Sequence, residues 1–258
     1  MTSWTVAALS FACMFGGALG ALALSSRLPG HHLSPATQDT VKLGVGMIAA
    51  VASLILGLMV ASVQGSFSST STDVRSYALS LLALDVDLRH YGKDACPAHG
   101  LLSDYARGVL VQTWADAPAT FKPRNGATAQ VTLAQLDNAV RALDPSTDSL
   151  KALKQNLLDE MRSVLTERWK VSGDSSSQIP TAFIVVVILW LALIFSSFGL
   201  FAPLNAVVVG ALFLCSASIA GALFLIVEMA GPFDGAIQVS PDALTEVISY
   251  MEGQACPG

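Results

Sequence analysis

Charge is scarce in this chain. Of 258 residues only 13% are Asp, Glu, Lys or Arg, while 53% are hydrophobic, a balance that points away from a water-soluble globule. Basic clusters are missing too. Twelve of the fourteen Lys and Arg fall between residues 66 and 178, interspersed with thirteen acids. Such a mixture is an ordinary solvated surface and excludes a nucleic-acid face or a polybasic lipid patch. Catalytic signatures are absent as well: there is no H-E-x-x-H, paired C-x-x-C, Walker loop or G-x-S-x-G. His31 and His32 are adjacent with no third ligand nearby, which reads as a solvated turn and not a metal site, and His90 and His99 have no recognisable partner. These absences leave no enzyme, cofactor or metal site to expect.

What the sequence does have is four long apolar runs, Trp4–Ser25, Leu43–Val63, Ile179–Leu200 and Leu204–Glu228. Each matches the roughly 20 residues a helix needs to cross a bilayer core. The first is read as a span and not as a signal peptide, because "MTSW" lacks a basic n-region and the run is too long for an h-region. The expected fold is an all-α membrane protein, with four transmembrane helices in two hairpins flanking an extramembrane helical bundle. The boundaries are 1–65 for the first hairpin, 66–178 for the helical domain, 179–229 for the second hairpin and 230–258 for an acidic tail.

The middle domain carries helical periodicity throughout. Val74, Tyr77, Leu81, Leu84, Leu88 and Tyr91 alternate three and four apart and predict one buried stripe, ending at Gly92. A second stripe runs from Leu101 to Trp114. Thr132 and Gln135 form a capping-box pattern for a third helix, ended by Asp144-Pro145, and a fourth starts near Ser146 or Thr147. The Ser/Thr-rich "SFSSTSTD" after the second span allows that span to continue outward as one bent helix.

Small residues recur within the spans. Ala8, Ala12, Gly16 and Gly20 mark one face of the first; Gly46, Ala50, Ser53, Gly57 and Ala61 mark one face of the second. In a bilayer such faces let helices approach closely, so both are helix-packing candidates. Ser53, Gly57, Ser62 and Gln64 equally suit the lining of a narrow, mostly apolar pore, and for the second span both readings stay open. Glu228 sits at the edge of the fourth span, where it is an interfacial anchor, a partner for Arg75 or Arg168, or a site controlling ion entry.

Cys96 and Cys256 each precede a proline in polar segments that four spans place on one side of the membrane. A disulfide between them requires the oxidising side, and two free thiols are the alternative. Arg27 and Lys42 in the first short loop favour that loop inside, leaving the middle domain and both termini outside, in the periplasm. Arg75, Arg162, Arg168 and Lys170 pull the other way.

The stretches "DTVKLGVGMIAAVASLILGLMVASVQGSF", "LLALDVDLRHYG", "LLSDYARGVL" with a following Trp, and "VEMAGPFDGAIQVSPDAL" together resemble a bacterial bestrophin-like family. Bestrophins are pentameric anion channels lined by the second membrane helix. The resemblance therefore implies a homo-oligomer in the bacterial inner (cytoplasmic) membrane, in contact with lipid and ions, with its pore around Ser53, Gly57 and Ser62. Animal bestrophins have an acidic calcium clasp that finds no match here. In the tail Glu228, Pro232, Phe233 and Gly235 fit the family pattern, whereas Ala230 and Gly231 replace an Asp-Arg-like pair. Cys96 and Cys256 look like additions to that pattern, which favours their pairing. The alternative to a channel is a non-conducting sensor or assembly protein whose helical domain binds a ligand or partner.

Overall fold

A computed structural model of the chain describes residues 2–25, 27, 35–124, 126–174 and 179–254. Eight α-helices follow in order: α1 (Ser3–Ser25), α2 (Pro35–Tyr91), α3 (Cys96–Thr113), α4 (Ala129–Ala142), α5 (Asp148–Asp174), α6 (Thr181–Phe201), α7 (Ala206–Met229) and α8 (Asp242–Gly253). The described residues contain no strand. Four of these helices, α1, α2, α6 and α7, are long and apolar enough to cross a membrane. A helix satisfies its own backbone hydrogen bonds, which the bilayer interior cannot do for it. The chain divides into one unit of Met1–Ser66 with Gln178–Gly231 and a second of Phe67–Ser177 with Pro232–Gly258.

In the first unit α1 is the organising helix and packs on both α6 and α7. Val6, Ser10, Met14, Ala18 and Leu22 recur every fourth residue along α1 and are all buried. Val6, Met14 and Ala18 meet Val187, Leu191 and Phe195 of α6 and Leu212, Ala220 and Leu223 of α7 in one apolar core. α2 contributes Val63, with Ile55, Leu56 and Met59 partly buried, to the same core. Glycine sets the distance of closest approach. A Cβ on Gly199 would run into the carbonyl of Ala18, and one on Gly17 would lie 2.7 Å from Ser196 Oγ. The buried Ser10 Oγ donates to Ala7 O at 2.9 Å and the half-buried Ser196 Oγ to Ala192 O at 2.7 Å, each within its own helix. Asn205 Oδ1 caps α7 by accepting from Val208 N at 2.8 Å.

The second unit is a helical bundle built as a water-soluble domain is built. The α2 stripe is buried as its periodicity predicts, with Leu81, Leu84 and Leu88 wholly enclosed. They join Leu102, Tyr105 and Leu110 of α3, Leu136 of α4, Leu157 and Met161 of α5 and Leu244 and Ile248 of α8. α2 is uninterrupted for 57 residues, about 85 Å at 1.5 Å per residue. It stops where Gly92 takes φ 100°, a conformation open to glycine and costly for other residues. The Thr132 capping box is corrected: the cap lies four residues earlier, at Thr128, which accepts from Val131 N, and Thr132 is buried inside the helix. Thr147 Oγ1 accepts from Leu150 N at 3.3 Å, where the start of α5 was expected.

The segment after α7 also belongs to the bundle. Phe233 is buried edge-on against Trp114 with ring centroids 5.3 Å apart. Trp114 Nε1 donates to Val239 O at 2.7 Å, and Val239 N donates back to Pro232 O at 2.7 Å. α8 then docks its Leu244, Val247, Ile248 and Met251 face.

Two predictions follow from this packing. Gly199→Leu forces α1 and α6 apart and lowers the unfolding free energy by about 3 kcal/mol, as overpacking does. Gly210→Ala, with open space around the new Cβ, changes it by less than about 0.5 kcal/mol; thermal unfolding in detergent distinguishes the two. In the bundle, burial pushes the Tyr77 phenol well above the ordinary 10.0. Burial raises Tyr105 too, opposed by the neighbouring Tyr77 hydroxyl and the Arg168 charge. Tyr77 lies in the part of α2 beyond the apolar run. Both phenols are raised in the folded state, so their contribution is complete below about pH 10 and is lost as pH rises further. Phenolate absorbance near 295 nm should therefore rise together with loss of helical circular dichroism, not before it.

Candidate functional site

The first half of α2 differs from every other membrane helix. Of its most apolar stretch only 6% of residues are buried, against 28% for α1, 28% for α6 and 22% for α7. Contact with its own unit is confined to one face, where Ala52 and Val63 are buried and Ile55, Leu56 and Met59 partly so. At 100° per residue, Gly46, Ala50, Ser53, Gly57, Ala61 and Gln64 fall on a separate stripe about 80° wide, spaced four and three apart. All six are exposed, and nothing lies within 4 Å of a Cβ built on Gly46 or Gly57. Beside this stripe the exposed surface turns to Leu43, Met47, Leu54 and Leu58.

Ser62 does not belong to the stripe. Nine residues from Ser53, it is two and a half turns away and projects on the opposite side. It is exposed there among apolar neighbours. The stripe carries one hydroxyl, one amide and otherwise only small side chains. No residue of it is ionisable, so it offers weak, neutral dipoles along a narrow surface.

The small face of α1 is likewise turned away from its own unit. Ala8, Ala12, Gly16 and Gly20 are exposed, with open space at both glycines. The face that α1 uses for packing is the neighbouring row through Ser10 and Ala18 with Gly17. Periodicity alone could not choose between the two rows, because both are rich in small residues. The glycine that sets the contact, Gly199, is isolated in its own helix.

Glu228 is only 6% exposed, in the last turn of α7, and is not without an interaction partner. Of the roles open to it, an interaction inside the protein is the one that this burial accords with. A buried ionised carboxylate has to be compensated inside the protein.

In the bundle, the structure brings together groups that spacing could not connect. Asp85 of α2 is fully buried, with Arg89 Nε donating to its Oδ2 at 3.0 Å. His99 Nε2 lies 2.9 Å from its Oδ1, so His99 does have a partner. The Arg89 guanidinium sits 5.5 Å from the centre of the Tyr250 ring on α8. Arg107, nearly buried on α3, pairs with Glu252 of α8 and donates through Nη1 to Thr120 O at 3.1 Å and Lys122 O at 3.3 Å. Arg124 Nη2 reaches the same Glu252 oxygen at 3.4 Å. Each cluster joins α8 to helices far away in sequence and fastens the bundle, although Asp85 Oδ1 and His99 Nε2 lie close without forming a hydrogen bond.

Cys96 is held in a disulfide, and Cys13 and Cys215 are free. Cys256, its expected partner, lies outside the described residues, as do His31 and His32. Among the described residues no group of three or more His, Cys, Asp or Glu is placed to hold a metal ion.

No curated protein and no solved structure matches the chain. A family model for the Bestrophin-like domain matches residues 12–244, covering seven of the eight helices in whole or large part and the start of α8. Together with four helices of membrane-spanning length, this fits a multi-pass, channel-like membrane protein. By that match the chain belongs to the Bestrophin-like domain family.

Proposed function

We propose that the protein is a homo-oligomeric ion channel in which the α2 helices of several copies surround a pore. The observation that carries this reading is the α2 surface itself. It is the membrane helix least buried by its own chain, and its outward stripe is the one combining small residues with Ser53 and Gln64. A lipid-facing helix gains nothing from an amide on that surface, whereas a helix ringing an aqueous passage does. Leu54 and Leu58, beside the stripe, suit contact with a neighbouring copy. A non-conducting sensor or assembly protein is the second reading. The extramembrane bundle favours it, with α8 clasped by two buried arginine clusters at a place where a partner could act.

The orientation proposed puts the bundle outside, in the periplasm. Arg27 and Lys42, the Lys and Arg of the first unit, both stand at the end where α1 finishes and α2 begins, the inside end by the positive-inside rule. The disulfide at Cys96 belongs to an oxidising compartment.

Purified protein in planar bilayers should pass single-channel current. Ser53→Leu should cut it at least about tenfold by closing a narrow constriction, while Ser62→Leu, half a turn away, should leave it near wild type. Correctly assembled Ser53→Leu and Gln64→Leu variants with unchanged current would overturn the assignment of α2, and silence of all assembled forms would favour the sensor reading. For orientation, a membrane-impermeant maleimide should label Asp148→Cys in intact spheroplasts and Arg27→Cys only after permeabilisation. The reverse pattern places the bundle in the cytoplasm.

A further inference from the structure

A cleft of about 240 Å³ opens between the start of α2 and the end of α6. Val45 and Ala49 form one wall and Phe198 and Phe201 the other, and Lys42 stands at its mouth as the one charged lining residue. The cleft is smaller than the roughly 300–1,000 Å³ of sites that enclose a whole small molecule. Its open side runs along membrane helices, so a chain lying in it continues into the bilayer. The distribution of chemistry is that of an amphiphile: apolar walls along the membrane direction, with a single cation where the apolar run begins. Lys42 is exposed, and the contact of its ammonium is a long one, 3.5 Å to Gln38 Oε1.

We infer that this cleft binds an anionic phospholipid of the leaflet at which α2 begins, with one acyl chain between Ala49 and Phe198 and the phosphate on Lys42. Charge complementarity selects the occupant. The first unit has its basic residues, Arg27 and Lys42, at this end, and a cation at the membrane surface attracts anionic lipid by about 1 kcal/mol. A zwitterionic lipid fills the same walls without neutralising Lys42. The inference does not depend on conduction, since lipid can be held by a silent oligomer as well as by an active one.

Native mass spectrometry of the full-length, detergent-purified oligomer tests this by titration with phosphatidylglycerol, with phosphatidylcholine of the same chains, and with glycerol phosphate. We expect phosphatidylglycerol to bind about fivefold more tightly than phosphatidylcholine, the effect of one well-placed cation. Lys42→Gln, at an exposed position, should abolish that preference. Ala49→Phe should fill the cleft and weaken both lipids, and glycerol phosphate should fail to compete. The proposal is overturned if Lys42→Gln keeps the wild-type preference, if glycerol phosphate displaces the lipid, or if Ala49→Phe dissociates the oligomer without changing lipid binding to each copy. The second result identifies a headgroup site, and the third an interface between copies.

Discussion

Close approach of helix backbones is the constraint on which the membrane unit depends. Lipid tails are as apolar as leucine, so a bilayer offers apolar side chains no incentive to leave it for one another. Association then rests on van der Waals contact, which is strongest where glycine removes the side chain altogether. Gly199 against Ala18, and Gly17 against Ser196, provide such a contact, and α1 takes its place against α6 and α7 accordingly. The glycines of α2 meet nothing in their own chain. An uncovered stripe of small residues with no internal partner is the physical basis for assigning it to the passage between copies, with Leu54 and Leu58 beside it in the contact.

The bundle obeys the opposite economy. In water the removal of apolar surface is itself the driving force, and the α2 stripe from Val74 to Tyr91 gathers α3, α4, α5 and α8 around it. α2 is thus one helix folded by two solvents: a surface left open in lipid, and a stripe enclosed in water. Its backbone needs no interruption at the change of environment. Ser68 to Thr72 can hydrogen-bond to water or to the preceding turn, as Thr72 Oγ1 does with Ser68 O at 3.0 Å.

The parts of this structure legible in the sequence are those set by a period. Four spans, the buried α2 stripe, the stop at Gly92 and the start of α5 at Thr147 all follow from residues within one or two turns of each other. What escaped depends on groups distant along the chain. The partner of His99 is Asp85, in the preceding helix, and that of Arg107 is Glu252, near the far end. No spacing rule reaches across such separations. α8 is a different case: Leu244, Val247, Ile248 and Met251 have helical spacing, but in an acidic stretch of only twelve residues that signal is short. Ser62 shares a hydroxyl with Ser53, but nine residues of helix put the two on opposite sides.

Glu228 shows how burial changes a functional argument. At the mouth of a pore, a ring of carboxylates would attract cations and repel anions, in conflict with the anion conduction that the resemblance to bestrophins implies. The conflict requires a carboxylate open to the passage. Glu228 is on α7 and enclosed by the protein, while the stripe on α2 contains no ionisable side chain. In the proposed arrangement Glu228 therefore supplies no exposed charge at the entrance. Selectivity falls instead to pore width and to the dipoles of Ser53 and Gln64, a neutral lining that does not by itself reject anions.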